Sequence, residues 1–325
     1  MKKCIGCGTV LQYSDKSKLG YTENSDNVLC ERCFRLKNYG TYQSVTFTND
    51  DYLKILDSIP KTSYVLYVAD SLTLDCIQIE KFKNVILVIT KKDILPKSVK
   101  REKIISYMKR QYKNIIDCFV VSSKTGDGID DMFHAIKKYR ELYVVGATNS
   151  GKSTLINKLI NFYGDEEMKH SVITTSMYPS TTLDKIKIKL KDIVLIDTPG
   201  LLNKDNIINY VTDREVKKIS PKKEIKPKTC QIEGDGSIMI DQYVRIDYHT
   251  SVRNSITIYA SNALNIRFAS LKNSELRDKF KTTFVVDEKE DIVIPGLGFM
   301  KCVHGMGVTL YINYDIKPFV RDNFI

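Results

Sequence analysis

Through the first two-thirds of the chain, apolar residues come in short unbroken runs separated by amphipathic stretches. Ser63–Asp70, Asn84–Ile89 and Asp117–Val121 are such runs, and so is the Tyr143-Val-Val stretch. Continuous apolar strands alternating with helices predict a parallel sheet covered on both faces. Helices are expected at Asp51–Ile59, where Leu53, Leu56 and Ile59 share a face, at Asp130–Arg140, and after Thr154, where Leu155, Ile156 and Leu159 fall at helical spacing. Lys185–Leu190 alternates as a half-buried strand, and Asp192–Ile196 supplies another buried run. In such folds ligand loops lie at the carboxyl ends of the strands, and that is where the polar motifs of this chain fall. From about Ile225 the pattern changes. Short alternating segments recur at Ser237–Ile240, Tyr243–Tyr248, Ser255–Tyr259, Thr283–Val286, Asp291–Ile294 and Gly307–Tyr311, punctuated by Gly, Asn and Asp. They predict an antiparallel β-rich domain, interrupted by a helix at Asn273–Lys281. Three domains follow from these shifts: residues 1–45, 46–215 and 216–325.

A chain of 325 residues is long enough for two or three domains with real cores, and 42% hydrophobic with 27% charged residues is an ordinary globular composition. No apolar run approaches the ~20 residues needed to span a membrane, and the start Met-Lys-Lys-Cys-Ile-Gly-Cys lacks the apolar core of a signal peptide. The expectation is a cytoplasmic protein with no membrane partner. A formal net charge of +11 favours polyanions such as nucleic acid, although a solvated basic face gives the same balance.

The eight cysteines are not spread as a disulfide framework, which suits a reducing compartment. Cys118 sits in the apolar run Cys-Phe-Val-Val and is expected to pack as a small hydrophobe. Four others form two Cys-x-x-Cys pairs, Cys4 with Cys7 and Cys30 with Cys33. Two such pairs can close a tetrahedral S₄ shell, which suits a structural Zn²⁺ and leaves no open position for catalysis. A redox dithiol or two unrelated pairs are the alternatives.

Gly146-Ala-Thr-Asn-Ser-Gly-Lys-Ser-Thr154 satisfies the G-x-x-x-x-G-K-[ST] pattern of a phosphate-binding loop. Gly146 and Gly151 let the backbone curl, through Asn149 and Ser150, until several N–H groups converge on one anion beside a helix N-terminus that includes Thr154. Lys152 would reach the β- and γ-phosphates, and the Ser153 hydroxyl would ligate Mg²⁺. Upstream, Thr90-Lys91-Lys92-Asp93 resembles the [NT]-K-x-D guanine-recognition motif of GTPases. A carboxylate such as that of Asp93 accepts from both guanine N1–H and the 2-amino group, a donor pair adenine does not offer, and the Lys91 stem can lie along the base. Ser122-Ser123-Lys124 resembles the S-A-K loop that donates to guanine O6. Downstream, Tyr178–Asp184 resembles a switch segment, with Thr182 at the position that senses Mg²⁺ and the γ-phosphate. In Asp197-Thr-Pro-Gly200 the carboxylate would hold Mg²⁺ through water and the Gly200 N–H would meet the γ-phosphate.

These motifs normally run phosphate loop, switch Thr, D-x-x-G, N-K-x-D, S-A-K, but here the last two precede the first three. A paired Cys-x-x-Cys module followed by a circularly permuted GTPase resembles the YqeH family. Ser220–Pro227, Pro295–Phe299 and the ending Phe319–Ile325 also resemble family segments. The resemblance implies a Cys₄ zinc module, a circularly permuted P-loop GTPase domain of α/β class and a β-rich C-terminal domain that binds RNA or protein. It implies GTP or GDP, Mg²⁺ and Zn²⁺ as cofactors, and ribosomal RNA or a small-subunit precursor as partner, with no specificity for DNA. It also gives Asn149 the role of a K⁺ ligand; on sequence alone this residue reads equally as a turn former. Leu201 follows the D-x-x-G motif where many GTPases carry a water-orienting Gln, so no general base is assigned and slow intrinsic turnover is expected. A scaffold that binds GTP without hydrolysing it, its nucleotide site only gating partner docking, is the alternative reading.

Overall fold

The computed structural model describes residues 2–4, 9–16, 20–31, 33–34, 46–47, 56–74, 76–164, 186–198, 200–201, 203–272, 276 and 279–325. Contacts divide the chain into two compact units, Met1–Lys92 with Ile104–Leu202, and Asp93–Lys103 with Asn203–Ile325.

The first unit is built on a six-stranded sheet. Its strands are β2 (Tyr64–Asp70), β3 (Asn84–Thr90), β4 (Ile115–Val120), β5 (Glu141–Gly146), β6 (Ile186–Leu190) and β7 (Ile193–Asp197). They lie in the order β4-β3-β2-β5-β7-β6, all neighbours parallel except the β6–β7 pair. Residues Val65–Ala69 and Val85–Ile89 have no exposed surface, as the unbroken apolar runs require. β5 is bound by β2 on one side and β7 on the other, so the parts of the chain before and after the phosphate loop complete one sheet. Two helices of the unit, α2 (Ile129–Ile136) and α3 (Lys152–Tyr163), bury Ile129, Met132, Phe133 and Ile136, and Leu155, Ile156, Leu159 and Ile160. A two-residue strand β1 (Thr46–Phe47) pairs in parallel with β8 (Gly200–Leu201).

The second unit is antiparallel. Its strands are β9 (Lys228–Ile240), β10 (Val244–Ala260), β11 (Ile266–Ala269), β12 (Phe280–Val286), β13 (Glu290–Ile294), β14 (Gly298–Cys302), β15 (Met306–Ile312) and β16 (Phe319–Asp322). β10 is the spine. β9 pairs along its whole length, while β15 takes its first half and β14 its second. A register shift between Thr250 and Asn254 bends the β9–β10 ribbon where that exchange occurs. Ile238, Val244, Ile246, Ile256, Ile292 and Leu310 fill the core beneath it.

Several boundaries differ from the expected ones. The Asp130–Arg140 helix ends at Ile136, because β5 begins at Glu141 and takes the chain into the sheet. Of the Asp51–Ile59 helix only its end is described: Leu56 and Asp57 are helical, and Leu56 and Ile59 are buried. Of the helix expected at Asn273–Lys281, residues 273–275 and 277–278 lie outside the described residues, and its end is corrected. Phe280 and Lys281 start β12, paired with Ile312 and Tyr311, and Leu276 sits at φ +62° in a turn. With only Leu276 and Phe280 as apolar residues the segment has little face to bury, and strand pairing takes Phe280 and Lys281. The helix α1 (Arg101–Gln111), which buries Ile104, Tyr107 and Met108, was not anticipated. Among the described residues no helix is long and apolar enough to cross a membrane.

Candidate nucleotide site and cysteine cluster

The carboxyl ends of β2, β3, β4, β5 and β7 carry the loops that compose the site. After β5 the chain passes Asn149, in the left-handed region at φ +63°, and Gly151, at φ +90°, before entering α3 at Lys152. Gly151 is required twice over. Its dihedral suits glycine, and a Cβ there would lie 2.8 Å from Thr90 Oγ1. That close approach is how the guanine-type loop after β3 meets the phosphate loop after β5. Thr90 Oγ1 donates to the Ser150 carbonyl, and Lys91 Nζ donates to the Asn149 carbonyl at 2.5 Å. The two motifs are 58 residues apart in sequence at that contact.

The loop after β4 is tied to the same cluster. Val121 N–H donates to Ile89 O at 2.8 Å, and Lys92 N–H donates to Val121 O at 3.0 Å. Ser122 and Ser123 are buried, whereas Lys124 is exposed. Asp93 lies in the 3₁₀ turn Lys92–Ile94 and opens the second unit. On the other flank Thr198 N–H and Oγ1 both donate to Val144 O, at 3.1 and 2.8 Å, fixing the end of β7 against β5. Lys152 Nζ donates to Asp197 Oδ1 and to the Thr198 carbonyl, both at 2.6 Å, and both side chains are buried. Gly200 lies against the phosphate loop: a Cβ on it would be 3.3 Å from Thr148 Cγ2. Ser153 is half-buried and Thr154 exposed in the first turn of α3. The expected switch residue Thr182 lies outside the described residues.

The buried Ser150 and Ser123 hydroxyls have no hydrogen-bond partner among the described residues. A buried hydroxyl of that kind calls for a polar partner, supplied by water or by a ligand. One lies within the phosphate loop and the other within the Ser122–Lys124 loop, where a nucleotide would present its phosphates and its base. In the first unit, Thr90, Lys91, Ser122–Lys124 and Gly146–Thr154 offer donors of the kind that would hold a nucleotide, and Ser153 and Asp197 oxygens of the kind that would hold Mg²⁺.

Sequence reasoning passed over the loop after β2. Ser71, fully buried, donates its hydroxyl to the Lys91 carbonyl at 3.0 Å and its N–H to the Thr90 carbonyl at 3.1 Å. Asp70 holds that loop by accepting from the N–H groups of Leu72 and Thr73 and from Thr73 Oγ1. Lys91 sits at φ +59°, a backbone state a lysine leaves unless its neighbours hold it. No local pattern marks Ser71, because its partners are twenty residues on.

At the N-terminus the sulfurs of Cys4, Cys30 and Cys33 lie within 4.8 Å of one another, and all three residues are buried. The Cys30 N–H points to Cys4 Sγ at 3.1 Å. Cys7 lies outside the described residues. Three converging buried thiols suit a structural zinc better than an oxygen-seeking cation. Cys118 behaves as expected of a packed cysteine, since burial pushes its thiol up to about 12.

Residues 141–232 match the family model described as a 50S ribosome-binding GTPase. The match starts at β5, so the Thr90–Asp93 and Ser122–Lys124 motifs lie upstream of it. YqeH of Bacillus subtilis is 39% identical over an alignment of 365 positions that covers 99% of both chains. The chain belongs to the YqeH family. It is a GTPase with a circularly permuted P-loop domain, and GTP or GDP with Mg²⁺ are its ligands. The chloroplastic GTP-binding protein Brassinazole Insensitive Pale Green 2 of Arabidopsis thaliana is 26% identical over 83% of this chain, which spans 50% of that relative's length. The solved structure of YjeQ from Thermotoga maritima overlaps 42% of this chain and 48% of its own, at 21% identity and a TM-score of 0.30.

Proposed function

We propose that this GTPase is a switch in ribosome assembly that docks on ribosomal RNA or a small-subunit precursor with GTP bound and leaves after hydrolysis. The observation that carries the switch is the joining of Thr90 and Lys91 to Ser150 and Asn149. Base and phosphates would be read by loops that hold each other, so a change at the γ-phosphate reaches the guanine loop directly. The ribosomal target rests on membership of the YqeH family and on the net charge of +11.

In this reading Asp93 selects guanine, Ser122–Lys124 line the base, and the Gly146–Thr154 loop cradles the phosphates. Lys152 neutralises charge developing on the γ-phosphate, and the Gly200 N–H faces the same group. Ser153, Thr182 and, through water, Asp197 would hold Mg²⁺, which would supply electrostatic stabilisation of the transferring group. Lys152 exchanges its bond to Asp197 for the phosphates when nucleotide enters. Leu201 carries no group able to orient water. Asn149, which is exposed, would in this reading ligate a K⁺ ion that supplies charge instead. Zn²⁺ on Cys4, Cys7, Cys30 and Cys33 is structural.

Cosedimentation with ribosomal particles in GTP but not in GDP is the expected result, and indifference to nucleotide would sink the switch. Lys152→Ala serves as the control and should lower GTP affinity by at least about 100-fold, because the charge-assisted contacts to the phosphates are lost. Multiple turnover measured in K⁺ and in Na⁺ decides the Asn149 role: equal rates dismiss it.

A further inference from the structure

Two segments far apart in sequence are clasped together in the second unit. Ile225 N–H donates to Ile94 O at 2.8 Å, and Lys97 N–H donates to Glu224 Oε1 at 2.9 Å. Asn262 closes the clasp by donating to the Glu224 carbonyl at 2.8 Å while accepting from Lys226 N–H at 2.8 Å. The clasp aligns residues 94–103, which follow the guanine loop, with residues 221–228, which lead into β9.

The two segments are unusually basic. Lys97, Lys100, Arg101 and Lys103 stand in one, and Lys222, Lys223, Lys226 and Lys228 in the other, against the two carboxylates Glu102 and Glu224. These 18 residues therefore hold a net +6 of the chain's +11. Glu224 is engaged with backbone N–H of Lys97, so it acts as a latch on the clasp more than as a counter-ion. Lys97, Lys100, Lys103, Lys223 and Lys226 are exposed, and none of them forms a salt bridge among the described residues.

A lysine run on one helix face is usually just solvated. Here the fold instead uses hydrogen bonds to bring two like-charged segments side by side, against their mutual repulsion. Such an arrangement becomes favourable when a polyanion lies across it and releases its counterions. We propose that this surface is an RNA-docking site that grips phosphate groups through Lys97, Lys100, Lys223 and Lys226. The proposal rests on the RNA-docking reading above and supplies the surface for it. The contacts are to the backbone and carry no sequence information, so the surface fixes position while other residues select the site. Because Asp93 directly precedes Ile94, the guanine loop and the RNA grip share one short stretch of chain.

The experiment uses the full chain with purified ribosomal RNA as probe, and measures affinity against salt. The triple variant Lys97→Gln, Lys223→Gln, Lys226→Gln should flatten the slope of log K on log salt by about 2, at roughly 0.7–0.9 for each phosphate no longer neutralised. Its GTP affinity and melting temperature should match wild type. Glu224→Ala removes a negative charge together with the clasp's side-chain bond to Lys97 N–H, and should bind RNA no more tightly than wild type. An unchanged slope in the triple variant, or tighter binding by Glu224→Ala, overturns the surface. Polyglutamate competing as well as RNA would make it a dock for acidic protein and overturn the RNA assignment. A wild-type chain that binds no ribosomal RNA would remove the reading under Proposed function along with this one.

Discussion

Ser71 shows how a single buried hydroxyl can set the geometry of a nucleotide site it need not touch. Lys91 occupies a left-handed backbone state, and that state is held from one side by Ser71 and from the other by the Lys92–Val121 bond. Ser71→Ala leaves the Lys91 carbonyl without that donor, at a cost of about 1–2 kcal/mol. GTP affinity is then expected to fall roughly five- to thirtyfold at RT ln 10 ≈ 1.4 kcal/mol. Affinity for inorganic tripolyphosphate, which has no base, should change little. Equal losses for both ligands would show that Ser71 serves folding alone. The motif residues of the candidate site were legible in the sequence because each pattern is local: a glycine-bounded curl, a carboxylate after a strand, a hydroxyl after a lysine. Ser71 was not, since its meaning comes from a parallel β2–β3 register that sets Asp70 opposite Thr90.

At the scale of elements, the cysteine cluster and the buried Asp291 make opposite demands on solvent conditions. The cluster belongs to a segment whose described backbone bonds are local, among them Leu11 N–H to Lys2 O at 2.9 Å and Glu31 N–H to Tyr21 O at 2.7 Å. A structural zinc in such a module supplies folding free energy of about 10–16 kcal/mol. One zinc per chain is therefore expected by elemental analysis, and chelation or Cys30→Ser should collapse amide protection at Leu11 and Glu31 while the β9–β10 ribbon stays protected. A metal-free chain with those amides protected would remove the zinc assignment. Asp291, on β13, is fully buried beside Arg321, with the Arg321 guanidinium also lying over Phe299 and Phe324. Burial pushes its carboxyl up to about 6, against the pull of Arg321 and Lys301. A carboxyl raised in the fold holds its proton in the native state after the unfolded chain has released it. Its contribution is thus most favourable below the unfolded value near 4 and is lost as pH rises to about 6. Relative to Asp291→Asn, wild type should lose on the order of 1–3 kcal/mol of stability between pH 4 and pH 7; a constant difference across that range would contradict it. The parallel strands that frame the site were readable because they are apolar without interruption. α1 was missed because Arg-Glu-Lys opens it and Lys-Arg-Gln closes it, leaving three buried positions between. The short strands β11, β14 and β16 carry too few residues to show a period, and their pairing partners decide them.

Permutation sets what the D-x-x-G motif leads to in the whole molecule. In this chain order β7 and β8 end the first unit at Leu202, and the second begins at Asn203. The first residues of the second unit are fastened down within it. Ile207 N–H donates to Pro295 O at 3.0 Å, and the Asn206 carboxamide caps the turn by accepting from Ile208 N–H at 3.0 Å. Gly296, at φ +82°, leaves room for that carboxamide: a Cβ there would fall 2.0 Å from Asn206 Oδ1. If Gly200 meets a γ-phosphate, six residues of chain separate it from this anchored segment, and a displacement there would have that covalent route to follow. That anchor rests on one turn between β13 and β14, and local opening of this kind is read by hydrogen exchange. Exchange across Asn203–Lys226 is expected to be slower with a non-hydrolysable GTP analogue than with GDP. Gly296→Ala combines a forbidden dihedral with a clash, so it should loosen the Asn206–Ile208 cap and speed exchange there in both nucleotide states. Nucleotide affinity should stay within about twofold of wild type, because the phosphate loop and Lys91 lie outside the altered turn. The difference between the GTP and GDP forms should then vanish downstream of Asn209. Identical exchange in the two forms of the wild-type chain would rule out the covalent route from the γ-phosphate to the β-rich unit.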